Sequence, residues 1–261
     1  MTNKTSFSPF SIPTQRDLRI FQFTPSDVMV IGCDSSGAIG PKPLDRLKVD
    51  GYIVGKFAAR VALMEVISTG AQPLCVVDNL SVELNPTGLE ILRGVREEAV
   101  QAGLDPKLAV TGSAEKNFPS DQTGVGVTVI GICGKDKLRI GTAQTGDSLV
   151  VVGSPAVGAE VLPGEQKGSN TNILDLQKLL GLEFVHEVIP VGSEGIQREI
   201  KVLTESLGLK FEANKSCAVR LDKSAGPATA LLASLPADKV GCLEGLFDKP
   251  TSLVGTLIKN C

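Results

Sequence analysis

An α+β fold in two domains is predicted by three features of this 261-residue sequence. Apolar runs of strand length stop repeatedly at small polar residues, and between them lie segments whose apolar residues recur at intervals of three and four. Near residues 141–147 the composition turns small and polar before the same alternation resumes, which sets an expected boundary there. With 42% hydrophobic residues the chain can bury a sizeable core, and its length suits one large domain or two smaller ones. We read residues 1–25 as a flexible arm, 26–145 as a first domain and 146–261 as a second.

The arm mixes Ser, Thr, Pro and Asn without periodicity. A strand is expected over 28–32, ending at Cys33-Asp34-Ser35-Ser36-Gly37, where small polar residues favour a turn. A second strand, 47–50, also ends in a carboxylate, Asp50. From 53 to 69 the positions Val54, Phe57, Ala58, Val61, Met64 and Ile67 give helical spacing, and Gly70 supplies the stop. A β-rich run over 74–83 precedes Asn85-Pro86-Thr87-Gly88, which leads into a helix that Gly103 closes. Strands follow over 108–111 and 124–133, completing a mixed or antiparallel sheet with helices layered on it. The second half reads as a strand over 149–152, helices over 173–180 and 194–207, a strand over 218–221 and a helix over 227–235.

Composition excludes several function classes. A formal charge of −3, with no long basic run, leaves no electrostatic footprint for nucleic acid or an anionic membrane surface. Aromatic residues make up 4% of the chain and Trp is absent, which argues against stacking platforms for single strands. No apolar run reaches signal-peptide or membrane-spanning length, so a cytoplasmic protein is expected. The six cysteines form no C-x-x-C pair, and the single histidine, His186, cannot complete a finger-type zinc site; free thiols and a surface or structural His186 are expected.

The chemistry that remains is carboxylate chemistry. Asp34, Asp50, Glu65, Glu115 and Glu194 fall near predicted element ends beside glycine and small polar residues. Such oxygen ligands suit Mg²⁺, which takes one or two carboxylates and completes its shell with water and phosphate. The alternatives are a turn-capping aspartate at 34 and a helix N-terminal acid at 194. The sequence has neither a G-x-x-x-x-G-K-[ST] phosphate loop nor a G-x-G-x-x-G after a strand, and no G-x-S-x-G elbow. Two glycine-bearing stretches remain: Thr111-Gly112-Ser113-Ala114-Glu115-Lys116-Asn117, which could aim N–H groups and Lys116 at phosphate, and Asp222-Lys223-Ser224-Ala225-Gly226-Pro227, which could open a helix with Pro227 at its first position. Each could equally be an ordinary connection.

Taken in order, these segments resemble the superfamily of aminoimidazole ribonucleotide synthetase, thiamine-monophosphate kinase, selenophosphate synthetase and a hydrogenase maturation protein. Ile31-Gly32-Cys33-Asp34-Ser35-Ser36 looks like I-G-D-D-A-A, with Cys33 in place of the first acid, and Val49-Asp50 looks like the end of T-T-D. Leu63 to Pro73 is similar to the L-S-D-I-A-A-M-G-A-x-P helix, with Glu65 on its aspartate, and Val191-Gly192-Ser193-Glu194-Gly195-Ile196 resembles D-I-S-D-G-L. The 111–115 segment stands where the superfamily has G-G-D-T, with Ser113 near the expected acid and Glu115 about two positions on. Gly146-Asp147 is similar to the entry into the second domain. Within the superfamily, the C-D-S-S-G-x-I-G, T-G-S-x-E-x-N-F-P and K-S-A-G-P segments look most like α-ribazole kinase.

The resemblance implies an aminoimidazole ribonucleotide synthetase-like fold whose first domain binds ATP and Mg²⁺ and pairs into a β-barrel across a homodimer, with a sandwich-like second domain. It implies an ATP-dependent kinase acting on the 5′-hydroxyl of the nucleoside α-ribazole, with a kinase or ligase on another metabolite, or a noncatalytic nucleotide-binding protein, as alternatives. By the same resemblance Asp34, Asp50 and Glu65 are metal ligands and Asp50 and Glu194 are catalytic. Thr111, Gly112, Ser113, Glu115, Lys116 and Asn117 contact the cofactor, and Ser35, Ser36, Ser193, Lys223 and Ser224 contact the acceptor.

Overall fold

The computed structural model describes residues 10–12, 14 and 16–260. Its first half comprises strands β1 (Phe10–Ile12), β2 (Leu18–Gln22), β3 (Asp27–Gly37), β4 (Ile39–Gly40) and β5 (Leu47–Lys48), then helix α1 (Gly51–Ser68) and strand β6 (Gln72–Leu80). Helices α2 (Leu89–Gln101) and α3 (Pro106–Ala109) and strands β7 (Val110–Ala114) and β8 (Gly124–Gly134) complete it. Six strands form one sheet in the order β1-β2-β3-β8-β6-β7, antiparallel throughout except for the β6/β7 pair. In β3 the period-two pattern points Val28, Val30 and Gly32 inward, opposite Cys133, Gly131 and Val129 of β8, and α1 covers this face. The outward row, including Ile31 beside Ile130 and Met29 beside Ile132, is half-buried.

The second half contains β9 (Asp147–Gly153), α4 (Val161–Gln166), α5 (Ile173–Leu180), β10 (Glu187–Pro190), α6 (Ile196–Leu207), β11 (Leu209–Ala213), β12 (Ala230–Pro236) and β13 (Thr251–Lys259). Its five strands run β10-β12-β9-β13-β11, all antiparallel. Every residue of β9 is buried, as befits a central strand covered on both faces. One face, through Val150, Val152 and Leu231, joins α1 and α5 in a core continuous with that of the first half. The other buries Leu149, Val151 and Leu232 against Ile196, Ile200 and Leu203 of α6.

Polar bonds tie the halves at α1. Arg60, whose side chain is 3% exposed, donates to Glu98 of α2 at 2.9 Å and to Glu165 of α4 at 2.9 Å. Two glycines allow α1 and α2 to touch backbone to backbone: a Cβ on Gly55 would lie 2.0 Å from the Ile91 carbonyl oxygen, and one on Gly94 would lie 2.2 Å from that of Tyr52.

Six expectations are corrected, the first being the turn expected over 33–37, which is strand because β3 continues its pairing with β8 to Gly37. Part of the expected arm is strand: β2 pairs with β3 and buries Leu18 and Ile20 completely, while residues 1–9, 13 and 15 lie outside the described residues. Residues 108–111 divide between the end of α3 and the start of β7. No strand forms over 218–221. The helix expected over 227–235 is β12, because a continuous apolar run buried on both faces carries no periodicity to separate strand from helix. With no helix after Pro227, the anion-binding helix start proposed for 222–227 is withdrawn. No helix among the described residues is long and apolar enough to cross a membrane.

Candidate active site

A cleft of about 560 Å³ opens where the end of β3 and the outer side of α1 face residues of the second half. Its apolar wall includes Ile53, Phe57 and Val61 on successive turns of α1, facing Val157, Leu162 and Pro227. At its polar end stand Asp17, Asp34 and Glu65 with Ser35, Ser36 and Ser193, and among the described residues no Lys or Arg lines it. The three carboxylates are therefore the only charged side chains of the cleft among the described residues.

Asp34 reaches this position because strand alternation puts it on the same face as Gly32, which packs against Leu18 and Val66. Burial, reinforced by the charge of Glu65 and opposed by the Ser35 backbone N–H, raises its carboxyl to about 6. Glu65 comes from the last turns of α1 and accepts a charge-assisted bond from Arg16 Nη2 at 2.9 Å. The same guanidinium donates to Ser68 Oγ and, through Nη1 at 3.5 Å, to the Val188 carbonyl of β10. Arg16 thus fixes Glu65 while spanning both halves.

A smaller polar cavity of about 70 Å³ adjoins the cleft and shares Asp17, Glu65, Gly192 and Ser193 with it. Glu199 of α6 lines it and accepts the Gly192 backbone N–H at 3.2 Å. Burial, with Glu65 adding to it, pushes the Glu199 carboxyl up to about 7. Glu194 also lines this cavity, largely exposed and 3.6 Å from Arg198.

The structure gathers Asp34, Glu65, Ser35, Ser36 and Ser193 around the cleft, with Glu194 at its edge. Asp50 does not line the cleft, although the adjoining Val49 and the nearby Ile53 do, and it is distant from Glu65. It is the exposed N-cap residue of α1, and about fifteen residues of helix put Glu65 roughly 22 Å along the axis from it. Among the described residues no group of three His, Cys, Asp or Glu side chains could hold a metal ion. Of the expected ligands, Asp34 and Glu65 line the cleft together; both are carboxylates of the kind that suits magnesium, and Asp34 is half-buried, with its ionisation disfavoured by burial.

The 111–117 segment is also remote. It belongs to edge strand β7 and the loop beyond, and β8 and β6 intervene between it and β3, a separation of roughly 14 Å at ordinary strand spacing. Gly112 has a packing role there, since a Cβ would lie 1.8 Å from the Asp78 carbonyl oxygen of β6. Glu115 accepts N–H groups of Asn117 and Phe118, which hold its carboxyl below the usual range, so its acid organises its own loop. Thr111, Ser113, Lys116 and Asn117 are exposed. Lys223 pairs with Glu160 at 2.7 Å, and Ser224 Oγ accepts the Gly226 N–H at 3.3 Å; both lie near the cleft wall formed by Gly226 and Pro227 without lining it.

Sequence reasoning missed Arg16, Asp17 and Glu199. Arg16 and Asp17 sit in a segment whose composition suggested an arm, with only the alternation of Leu18 and Ile20 as a signal. Glu199 was hidden among the acids of an amphipathic helix.

Residues 16–133 match the model of "AIR synthase related protein, N-terminal domain". None of the curated proteins matches the chain in sequence. Among solved structures, the chain is similar to thiamine-monophosphate kinase from Stenotrophomonas maltophilia K279a (18% identity, 96% of this chain and 89% of that chain covered, TM-score 0.64). It is similar to AaThiL complexed with AMPPCP and TMP (15% identity, 94% and 85% covered, TM-score 0.63). It is also similar to HypE of E. coli, a hydrogenase maturation protein (15% identity, 88% and 80% covered, TM-score 0.65). Residues 16–133 are thus similar to that N-terminal domain, and the chain as a whole has the mixed α+β fold of these structures.

Proposed function

We propose that this chain is an ATP- and magnesium-dependent kinase for a small, unphosphorylated alcohol with an apolar ring system, α-ribazole in particular, phosphorylated on its 5′-hydroxyl. One observation carries the reading: among the described residues, the cleft joins an apolar wall to three carboxylates and no cationic side chain lines it. Such a surface accepts a neutral nucleoside-like body, whereas an acceptor already bearing phosphate would set its anion against Asp17, Asp34 and Glu65. The likeness to thiamine-monophosphate kinase, and to AaThiL complexed with AMPPCP, supports ATP as phosphoryl donor.

Phosphoryl transfer needs in-line placement and neutralised charge more than covalent help. Asp34 and Glu65 would hold magnesium, which when bound supplies a positive charge to the phosphoryl oxygens. Arg16 keeps Glu65 in place, Ser35, Ser36 and Ser193 offer hydroxyls to the acceptor, and Phe57 and Val61 receive its ring. Glu194 is assigned to orienting the acceptor hydroxyl from the cleft edge. The 111–117 loop contacts ATP in a homodimer, a pairing favoured by the apolar outward row of the first sheet, and the protein works in the cytoplasm.

The decisive experiment supplies protein, ATP and Mg²⁺ with α-ribazole or thiamine monophosphate and follows the acceptor by mass. Phosphorylated α-ribazole is expected, with little turnover of thiamine monophosphate. The opposite preference overturns the acceptor assignment. ATP binding without any product supports a noncatalytic nucleotide-binding protein, the reading favoured by Cys33 and Ser113 standing where the resembled superfamily has acids.

A further inference from the structure

A second and larger crevice, about 750 Å³, shares no lining residue with the cleft. It lies beyond the C-terminal end of α1, under the connection between the two sheets. Lys137, Arg139 and His186 line it together with the amides of Gln72 and Gln144, and Asp136 is its one acid among the described residues. Ile67, Leu138, Leu180 and Val185 supply an apolar floor.

Its histidine is held by a carboxylate. His186 Nδ1 lies 2.8 Å from Asp147 Oδ2 and 3.0 Å from Oδ1, while the Gln144 backbone N–H donates to Oδ2 at 2.8 Å. The Asp147 side chain is 4% exposed and that of His186 20% exposed. This arrangement makes Nδ1 the donor, fixes the ring, and leaves Nε2 without a protein partner among the described residues. Among the described residues neither the exposed Lys137 nor the half-buried Arg139 has an acidic partner, whereas most other partly buried cations are paired. Part of their charge offsets the carbonyl end of α1. The Arg139 side chain nevertheless makes only a 3.5 Å contact to the Val185 carbonyl, which leaves most of its donors unused.

We propose that this crevice is a second ligand site, for a small molecule with a phosphate group on an apolar body. Lys137 and Arg139 take the phosphate, His186 Nε2 meets one of its oxygens, and the floor receives the body. The assignment does not rest on the kinase reading, because it uses none of the cleft residues.

His186 is the only histidine in the chain, so its imidazole gives one assignable NMR signal. The full-length protein, free of ATP and Mg²⁺, is titrated at constant pH and ionic strength with phenyl phosphate, inorganic phosphate and phenol. Phenyl phosphate is expected to shift the His186 signal saturably, with inorganic phosphate about tenfold weaker and phenol without effect. A Lys137→Gln/Arg139→Gln protein should lose the shift, and Asp34→Asn should retain it. If the double variant does not fold, Lys137→Gln alone should weaken phenyl phosphate binding severalfold. The proposal is overturned if the signal does not move, moves without saturating, responds equally to phenol, or responds unchanged in the lysine and arginine variants. Loss of kinase activity with this binding intact would refute the cleft reading alone.

Discussion

Arg16 Nη2 lies 2.9 Å from Glu65 Oε2, and this pair joins the segment preceding β2 to the helix that carries the cleft wall. The Arg16 side chain is 3% exposed and that of Glu65 18% exposed, so each charge depends on the other in a poorly solvated place. Arg16 also reaches Ser68 and the Val188 carbonyl, which makes one guanidinium a support for the acid and a tie to the second half.

Removing that support should cost both stability and activity. Arg16→Met is expected to destabilise the fold by about 2–4 kcal/mol, since it strands a half-buried carboxylate. Arg16→Met/Glu65→Met should recover part of the loss, because no unpaired charge remains. Urea denaturation of the two single variants and the double variant measures the coupling, and additive losses would show that the pair contributes nothing.

Asp34 should matter to turnover far more than to folding. Asp34→Asn keeps the shape of the side chain and removes a charge that burial disfavours, so its urea midpoint should equal or exceed that of the parent. Phosphoryl transfer should fall by at least about 10²-fold, the scale expected when a metal-neutralising carboxylate is lost. Near-parental turnover would remove Asp34 from the metal site. Asp50→Asn should leave turnover close to parental, since Asp50 sits at the opposite end of α1 from Glu65.

How far the sequence revealed this site depends on whether each residue's neighbours were local. Helix α1 was legible because its apolar residues recur at three and four and Gly70 ends it, and with it came Glu65, Phe57 and Val61. Asp34 was legible as a candidate, but not its setting: the turn expected over 33–37 is strand, since pairing with β8 carries β3 on to Gly37. The separation of Asp50 from Glu65 was not legible from order along the chain, because one helix stands between them. Strand β12 was misread because Ala230 to Leu235 is buried on both faces, and burial of that kind erases the two-residue period. Arg16 and Glu199 acquire meaning only when β2 and α6 close on α1, a contact that no local pattern records.

Three carboxyls that burial raises predict a particular pH dependence. Asp34 is raised to about 6, and Asp78 and Glu199 to about 7. Between about pH 4 and 7 the folded chain therefore holds protons that the unfolded chain has released. Stability contributed by these groups is intact below their unfolded values and falls as pH rises through the folded ones. In EDTA, the urea midpoint should decline from pH 5.5 to 8. Asp78 gives the sharpest test: it is 1% exposed, and neither carboxyl oxygen has a hydrogen-bond partner among the described residues. Asp78→Val should raise stability at pH 8 by about 1–3 kcal/mol and flatten the profile. An unchanged slope would mean that Asp78 is ionised at little cost in the fold.

The crossing of α1 and α2 supplies a test in which local propensity and packing predict opposite signs. Replacing glycine by alanine within a helix ordinarily stabilises by roughly 0.5–1 kcal/mol, because the unfolded chain loses freedom. At Gly94 the added methyl would lie 2.2 Å from the Tyr52 carbonyl oxygen and 2.4 Å from the Lys56 backbone nitrogen, neither of which can turn aside. The helices must separate, and tight packing spreads such a shift along α1. Gly94→Ala is therefore expected to destabilise by about 3 kcal/mol. Because Phe57 and Val61 leave α1 toward the cleft within two turns of this crossing, acceptor KM should rise with it. Thermal melting and acceptor titration on the same preparation separate the effects. A stabilised variant with unaltered KM would show that α1 and α2 are not in backbone contact and that the cleft wall does not depend on their spacing.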